Sequence, residues 1–433
     1  MSGSLRGIGT GSRHLVGQLR DQYRNVVLGE KSLRSNSSNN NNDNTLDKIT
    51  IDYPPVLDKI ITRFNVMEME FAFGYGSKVF SQGNNDKSEQ SQIDMIYAVR
   101  NSIDWHNENL IKNSNDYSIL KYGGGKIINT VNNWGAGVYF NPFVQVPVDN
   151  NNNNNNIELK YGITSTKNLI DDLINWKSMY LAGRLHKPVA VIKQSNKFKI
   201  FNEYNLTNAV KLSLLLINKE NITFNELFLK ITELSYIGDP RLKVRGENPN
   251  KVKNIVNNQY EIFKILYIPI LENNLNDLIQ INKNDEIIKF NLTIESIGKI
   301  LVDLPRNFKS KLISNNINKY EYDEFTNDVI INPFLQIGNE MSYNDLLNIK
   351  SINQISSNEW EYLANDIKLS NSSSIRGLSE NFFNNGKIMQ NSLINVIETI
   401  VGSTALVQSL KGILTAGIVR SYKYAIAKRN KAK

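Results

Sequence analysis

Two kinds of hydrophobic pattern alternate in the first half of the chain. Between residues 49 and 200, short apolar runs typical of strands alternate with segments whose apolar residues recur at helical spacing. The strand-like runs lie at 70–73, 93–99, 138–146, 158–163 and 189–192. This alternation predicts an α/β or α+β domain over residues 46–204.

The pattern becomes helical after residue 204. Segments 205–217, 223–237 and 252–271 carry apolar residues at helical spacing, which predicts a second, helix-rich domain over 205–320. A basic loop between two of these helices contains Asp239, Arg241 and Lys251. Such a loop is compatible with a winged-helix wing on nucleic acid, with a cover over a nucleoside triphosphate, and with a plain solvated loop.

Polar tracts and charged ends frame these domains. Residues 1–34 contain six Lys or Arg and two acids, a composition compatible with a mitochondrial presequence and with an ordinary disordered N-terminus. The Asn-rich segment 35–44 predicts a linker that ends the region 1–45. A second Asn tract at 150–156 separates two strand-like runs, which predicts an expanded hairpin tip.

Composition excludes several kinds of chemistry. The 433 residues include no Cys and three His, so thiolate catalysis, disulfides and Cys-based metal sites are excluded. Because no uncharged apolar run reaches about 18 residues, we expect no transmembrane helix and peripheral membrane contact at most.

A glycine turn after an apolar strand is the first candidate for chemistry. The segment 71–77 is an apolar strand that runs into a glycine turn at Gly76, and a helix is expected to begin at Ser77. Asp94 lies in the next strand-like run. Backbone N–H groups at a glycine turn and at the start of a helix bind phosphate, and a strand-borne carboxylate binds Mg²⁺. The pattern is that of nucleotidyltransferase folds, although a Gly-Ser pair is most often only a turn.

A second cluster follows an amphipathic helix. Arg184, His186 and Lys187 lie in a basic turn within residues 176–189. Two such cations are suited to phosphate, although cations also complement the dipole of a helix end.

The C-terminal region, 321–433, ends in seven cations without an acid over residues 408–433. Apolar residues recur there at helical spacing, which predicts a basic amphipathic helix on an anionic membrane surface; the alternative is a helix on the protein's own core. The residues expected at the membrane are Leu410, Lys411, Ile413, Leu414, Arg420 and Lys423.

Taken in order, nine motifs resemble one known family. They include GYGSxxFxQ at 74–82, DxxxAV at 94–99, WHxxNL at 105–110, NWGAGVYFNP at 133–142 and DLxxWxxxYxAGRLxKPV at 172–189. KYGI at 160–163, LSYxGDxR at 234–241, KVxNIV at 251–256 and KGILTAGI at 411–418 complete the set. Together they resemble the mitochondrial translocator assembly and maintenance proteins, which are phosphatidate cytidylyltransferases of the inner membrane.

The resemblance implies a nucleotidyltransferase domain, a winged-helix domain and a C-terminal membrane helix facing the matrix. It implies that CTP and phosphatidic acid give CDP-diacylglycerol and pyrophosphate for cardiolipin synthesis, with Mg²⁺ as cofactor and no nucleic acid as partner. Gly76 and Ser77 would form the phosphate turn and Asp94 would bind the metal. The residues implied to contact phosphate or substrate are Lys160, Arg184, Lys187, Asp239, Arg241 and Lys251.

Three questions stay open at this point. Lys78 stands where the family usually has Gly, and it would be strained if that position required a positive φ. A second carboxylate for metal is not evident; Glu68, Glu70 and Asp172 are candidates. The alternative functions are a non-catalytic inner-membrane scaffold for protein import and, as a third reading, an RNA nucleotidyltransferase or winged-helix nucleic-acid binder.

Overall fold

The structure is a computed structural model that describes residues 54–80, 92–147, 156–240, 248–316 and 373–417. The predicted presequence and linker, the residues Arg241, Arg420 and Lys423, and most of the second Asn tract lie outside these ranges. Within them the chain forms a mixed α/β fold, as the hydrophobic pattern predicts.

A five-stranded mixed sheet forms the centre of the first half. Its strands are β1 (Met69–Tyr75), β2 (Ile93–Val99), β3 (Val138–Pro147), β4 (Asn156–Ser165) and β5 (Ala190–Gln194). They are arranged in the order β3-β4-β2-β1-β5. Strands β2 and β4 are parallel, whereas the other neighbours are antiparallel. Strands β3 and β4 pair antiparallel, with Pro147 opposite Asn156 at the end next to the Asn tract. The predicted strand pairing is therefore confirmed, whereas residues 148–155 of the predicted tip lie outside the described residues.

The sheet is buried on both faces, which explains why its strands appear as short apolar runs. Successive side chains of a strand point to opposite faces. Accordingly, Phe71 and Phe73 of β1 lie in a large core shared with the helices that follow. Ala72 of the same strand lies in a second core on the other face. Met69 also lies in this second core, because a register shift between Met69 and Phe71 interrupts the alternation.

Helices cover both faces and form most of the second half. In the first half they are α1 (Val56–Ile61), α2 (Ser102–Asn113), α3 (Gly124–Asn132), α4 (Thr166–Asn175) and α5 (Tyr180–Leu185). They continue with α6 (Asn196–Ile217), α7 (Phe224–Glu233), α8 (Lys251–Asn258), α9 (Tyr260–Asn274), α10 (Ile294–Asp303), α11 (Arg306–Asn316), α12 (Ser373–Asn384) and α13 (Gly386–Ala416). Capping residues mark the start of several of these helices. Thr223 and Glu226, for example, form a capping box at the start of α7.

A small antiparallel sheet accompanies the later helices. It consists of β6 (Asn221–Thr223), β7 (Ile279–Asn282) and β8 (Ile287–Phe290), in the order β6-β8-β7. Helix α6 runs without interruption past residue 204, and the large core joins residues of the first sheet to residues of α7, α9 and α10. The assignment of the later part as a separate winged-helix domain stays a prediction.

The long helix α13 packs along the molecule. By length and composition it could cross a membrane, a weak criterion that core helices also meet. The expectation of no transmembrane helix therefore stays a prediction. Ser, Thr and Gln interrupt the apolar run of α13 without adding charge. However, Leu393, Val396 and Ile400 are buried in the large core, so α13 is held by the protein along one side.

Lys411 corrects the prediction for the C-terminal region. Its side chain is 1% exposed, and its ammonium donates hydrogen bonds to the carbonyls of Asn132 and Trp134. A cation at the carbonyl end of α3 is favourable for the helix dipole. Lys411 therefore joins α13 to α3 and does not contact a membrane, since it lies on the protein-facing side of a helix whose other side is exposed.

The buried Lys411 predicts a pH-dependent stability. Burial lowers the pKa of Lys411 to about 7, whereas an unfolded lysine titrates near 10.5. Between these values the unfolded chain binds the proton that the folded chain has released, so rising pH stabilises the folded state by up to about 1.4 kcal/mol per pH unit. We expect wild type to gain stability relative to Lys411→Met between about pH 7 and pH 9.5 in urea unfolding.

Below about pH 7, Lys411 holds its proton in both the folded and the unfolded state of wild type. The difference in free energy of unfolding between wild type and Lys411→Met should therefore become constant there. A difference in the free energy of unfolding that does not change between about pH 7 and pH 9.5 would contradict a depressed pKa at Lys411.

Candidate active site

The Gly-Ser turn lies at the end of β1, beside the neighbouring strand that carries Asp94. Gly76 has a φ of +91°, and a Cβ there would lie 3.2 Å from Asp94 Oδ2. Both facts favour glycine, because a side chain would be strained and would crowd the carboxylate. The left-handed conformation falls on Gly76 and not on Lys78, so the Lys78 substitution is accommodated without strain.

The turn differs from the prediction in one respect. The N–H groups of Val79 and Phe80 both donate to the Gly76 carbonyl, at 3.1 Å and 2.9 Å. Residues 77–80 therefore form a turn and no helix. The side chain of Ser77 is exposed at this turn, where it is accessible to a phosphate.

Strand register brings Lys160 to Asp94. In the sheet, Asp94 of β2 is paired with Tyr75 of β1 on one side and with Lys160 of β4 on the other. The Lys160 ammonium lies 3.3 Å from Asp94 Oδ1 and 4.7 Å from the centroid of the Phe140 ring. Both members of the pair remain partly exposed, so a ligand can reach them.

Arg184 lies against the same edge of the sheet. Its guanidinium carbon is 4.1 Å from the ring centroid of Tyr75 and 5.4 Å from that of Tyr180, which are cation–π distances. Although burial opposes the charge, the nearby Tyr75, Tyr180 and Asp94 raise the pKa of Arg184. The Nε of Arg184 is buried without a hydrogen-bond partner, and a buried donor of this kind is costly unless a ligand accepts from it.

Two lysines extend the cationic cluster. Lys187 donates to the Gly183 carbonyl and to Ser235 Oγ. The ring of Tyr236 lies between two ammonium groups, 5.2 Å from Lys187 and 5.5 Å from Lys251. Burial, together with the charges of Arg184 and Lys251, lowers the pKa of Lys187 well below its ordinary value.

Charge compensation in this cluster is incomplete. Within the described part of the chain, neither Arg184 nor Lys187 forms an ion pair with a carboxylate. Because the charge of Arg184 makes a charge on Lys187 less favourable, an anion placed between the two side chains would be bound strongly and would raise the pKa of Lys187 again. A polyphosphate is an anion of this kind.

Asp172 positions the cations and is not a candidate for metal. Its carboxylate accepts hydrogen bonds from the N–H groups of Ser178, Met179, Leu181 and Ala182. These bonds organise the turn that starts α5, the helix that carries Arg184. With its oxygens occupied and its side chain buried, Asp172 has no capacity left to bind an ion.

The other two carboxylates proposed for metal are also excluded. Glu70 pairs with Arg100 at 2.7 Å and lies five residues before Tyr75 on β1, roughly 17 Å along the strand. Glu68 precedes β1 and lies farther still. Over the ranges that the structure covers, no three His, Asp or Glu side chains form a group suited to a metal ion.

Two further predicted residues, Asp239 and His186, are buried. Asp239 is 2% exposed and follows Tyr236 in a turn, so it lies near the cluster but not on its surface. His186 is fully buried against Asn205, and burial lowers its pKa to about 3. His186 is therefore a neutral structural residue and not a base.

Sequence reasoning missed the tyrosines. Tyr75 and Tyr236 stack against Arg184, Lys187 and Lys251, although neither was assigned a role. The available signal was their place inside the GYGS and LSYxGD motifs. Aromatic residues beside glycine turns are usually core residues, so their contacts with cations became evident only from the fold.

Comparisons with known proteins agree with this arrangement. A family model described as "Phosphatidate cytidylyltransferase, mitochondrial" matches residues 57–431. A protein of that name from Schizosaccharomyces pombe is 31% identical over 388 residues, covering 87% of this chain and 83% of its own. One from Dictyostelium discoideum is 32% identical over 417 residues, covering 91% and 88%.

A zebrafish (Danio rerio) relative with the same name is 41% identical over 219 residues, which cover 49% of this chain and 62% of its own. The matched family model spans the turn, the Asp94–Lys160 pair and the cationic cluster alike. The chain therefore belongs to the family of mitochondrial phosphatidate cytidylyltransferases.

Proposed function

We propose that this protein transfers a cytidylyl group from CTP to phosphatidic acid, forming CDP-diacylglycerol and pyrophosphate. The single observation that carries the proposal is a cluster of cations that begins beside the Gly76–Ser77 turn. Arg184 contacts Tyr75 and lies near Asp94, and Lys187 and Lys251 extend the cluster from Arg184. Two polyanions must approach each other in this reaction, and closely spaced cations reduce their repulsion.

The reaction needs no general base. A phosphate oxygen of phosphatidic acid, already anionic, attacks the α-phosphorus of CTP and forms a new P–O bond. The bond from that phosphorus to the bridging oxygen breaks, and its electron pair leaves with pyrophosphate. This requirement agrees with two neutral, buried histidines, His106 and His186, and with a site made of cations.

Each side chain has a distinct role in this proposal. Ser77 and the turn hold the triphosphate, and Arg184 holds its α-phosphate through a planar guanidinium. Lys187 and Lys251 stabilise the pyrophosphate as charge accumulates on it. Lys160 can exchange its contact with Asp94 for a contact with a second anion, and it receives the phosphate of the lipid.

Mg²⁺ is proposed as the cofactor. Asp94 together with triphosphate oxygens is the kind of ligand set that this ion uses, since Mg²⁺ is often bound by one or two carboxylates plus substrate phosphates. The ion would neutralise triphosphate charge. The described residues fit one such ion; a second would need carboxylates from other parts of the chain.

The proposed place of action is the matrix side of the mitochondrial inner membrane, as a peripheral protein that supplies cardiolipin synthesis. The matched relatives are named mitochondrial. The basic composition of residues 1–34, which is compatible with a presequence, and the cationic end of the chain support this location.

Pyrophosphate release tests the proposal directly. We expect purified protein to release pyrophosphate and form CDP-diacylglycerol when CTP, Mg²⁺ and phosphatidic acid are all present, and to do neither when one is omitted. Diacylglycerol in place of phosphatidic acid is the matched control, since it lacks the attacking phosphate. Absence of product under all conditions, with correctly folded protein, would favour the scaffold alternative.

A further inference from the structure

Exposed apolar side chains gather where α13 meets the segment before β3. On α13, Leu406, Leu410 and Leu414 are 55%, 60% and 48% exposed. On the short helix Ile119–Gly123, Ile119 and Tyr122 are 77% and 83% exposed. Ile127 and Trp134, on and after α3, are each 47% exposed and add to the same surface. We call these seven residues the docking face.

Direct contacts make the two parts of this face continuous. Ser118 Oγ donates to the Leu414 carbonyl at 2.9 Å, which joins the short helix to the end of α13. The Lys411 ammonium bonds the Trp134 carbonyl at 2.7 Å. A Cβ at Gly135 would lie 2.9 Å from Val407, so the backbone there approaches α13 closely.

The charge of this face is one-sided. No Asp or Glu occurs between residues 117 and 148, nor after residue 398. Lys121 and Lys126 lie among the apolar residues, with the Lys121 ammonium 5.5 Å from the centroid of the Tyr122 ring. Aromatic and aliphatic side chains edged by cations are suited to an anionic lipid surface, whereas a protein core contact has no need of the cations.

The face lies close to the proposed lipid-phosphate site. Gln408 donates to the Val138 carbonyl at 3.2 Å. Val138 is two residues before Phe140, whose ring contacts the Lys160 ammonium, a separation of roughly 7 Å along β3. A phospholipid whose chains remain in a bilayer under this face would therefore bring its phosphate toward Lys160.

We propose that the docking face, and not the C-terminal helix alone, binds the surface of an anionic phospholipid bilayer. The inference rests on the proposed function, because phosphatidic acid resides in that bilayer. It assigns membrane contact to the segment 119–134, which precedes α13 by more than two hundred residues. Lys411 acts inside the protein by holding the two parts together.

Vesicle flotation with paired substitutions tests the proposal. We expect Ile119→Ser/Tyr122→Ser to bind phosphatidylcholine vesicles containing phosphatidylglycerol about tenfold or more weakly than wild type, because two apolar side chains no longer enter the bilayer. The matched control is Ile265→Ser/Phe383→Ser, which alters two exposed apolar residues on α9 and α12. The control should float like wild type.

Activity assays separate this proposal from the proposed function. On phosphatidic acid in vesicles, Ile119→Ser/Tyr122→Ser should lose activity in parallel with binding. On a short-chain, water-dispersed phosphatidic acid it should match wild type. Wild type that is inactive on both substrates would overturn the proposed function. Undiminished flotation of Ile119→Ser/Tyr122→Ser would overturn the proposal that the docking face binds the bilayer. If wild type formed a concentration-dependent dimer that this variant abolished, the face would instead be assigned to a second copy of the chain.

Discussion

Asp94→Asn is expected to reduce CDP-diacylglycerol formation by about a thousandfold or more, because it removes the charge proposed to hold Mg²⁺ beside the triphosphate. Asn preserves the size of the side chain. The variant also leaves Lys160 without its carboxylate partner at 3.3 Å. The measurement is the rate of pyrophosphate release at saturating CTP and phosphatidic acid, together with urea unfolding of the same preparation.

Stability should change little in this variant. Asp94 is partly exposed, and pairs of that kind contribute up to about 1 kcal/mol. Asp171→Asn is the matched control, since Asp171 is also partly exposed and forms an ion pair with a different lysine, Lys177, at 3.0 Å. Asp94→Asn with full activity would exclude Asp94 as the metal ligand, and an equal loss in Asp171→Asn would show that the effect is not specific to the site.

Arg184→Met is expected to lower kcat by about a hundredfold to a thousandfold, the usual effect of removing one preorganised charge at a reacting centre. Arg184→Lys should recover part of this loss. An ammonium retains the charge, but it cannot stack on Tyr75 and Tyr180 as a planar guanidinium does, nor offer two parallel donors. The value of kcat should therefore fall in the order wild type, Arg184→Lys, Arg184→Met, both on vesicles and on dispersed substrate.

Arg100→Met provides the control for Arg184. Arg100 also pairs with its surroundings, through Glu70 at 2.7 Å, but it lies at the other end of β1 from Tyr75 and is largely exposed. We expect this variant to keep wild-type activity. If Arg184→Met changed KM for CTP and left kcat unchanged, Arg184 would contribute ground-state binding only, and its assignment to the reacting phosphate would be wrong.

Much of this architecture was predictable from local pattern. The short apolar runs became the strands of a sheet buried on both faces, and the Asn tract lies between two strands of a hairpin. Asp94 and Gly76 were recognisable because a turn needs glycine and a strand places alternate residues on one face. These features depend on a few neighbouring residues, which is why sequence alone was sufficient.

Contacts over long sequence separations were not predictable in the same way. Asp172 looks like a metal candidate in the sequence, yet backbone N–H groups from the next turn occupy its oxygens. Lys411 looks like a lipid contact, yet it lies against carbonyls nearly 280 residues away. Composition and periodicity describe which residues share a helix, but they do not state which side of that helix faces the protein.

The sequence by itself determined the mixed α/β class, the positions of the five strands of the first sheet, the family and the polar residues proposed for a phosphate site. It did not indicate the small second sheet. Tertiary structure alone decided which of those residues meet. The pairing of β2 with β4 placed Lys160 beside Asp94, and the packing of α13 buried Lys411 and left Leu410 exposed. The physical reason is that periodicity encodes a local preference for burial, whereas strand register and helix orientation arise from contacts between distant segments.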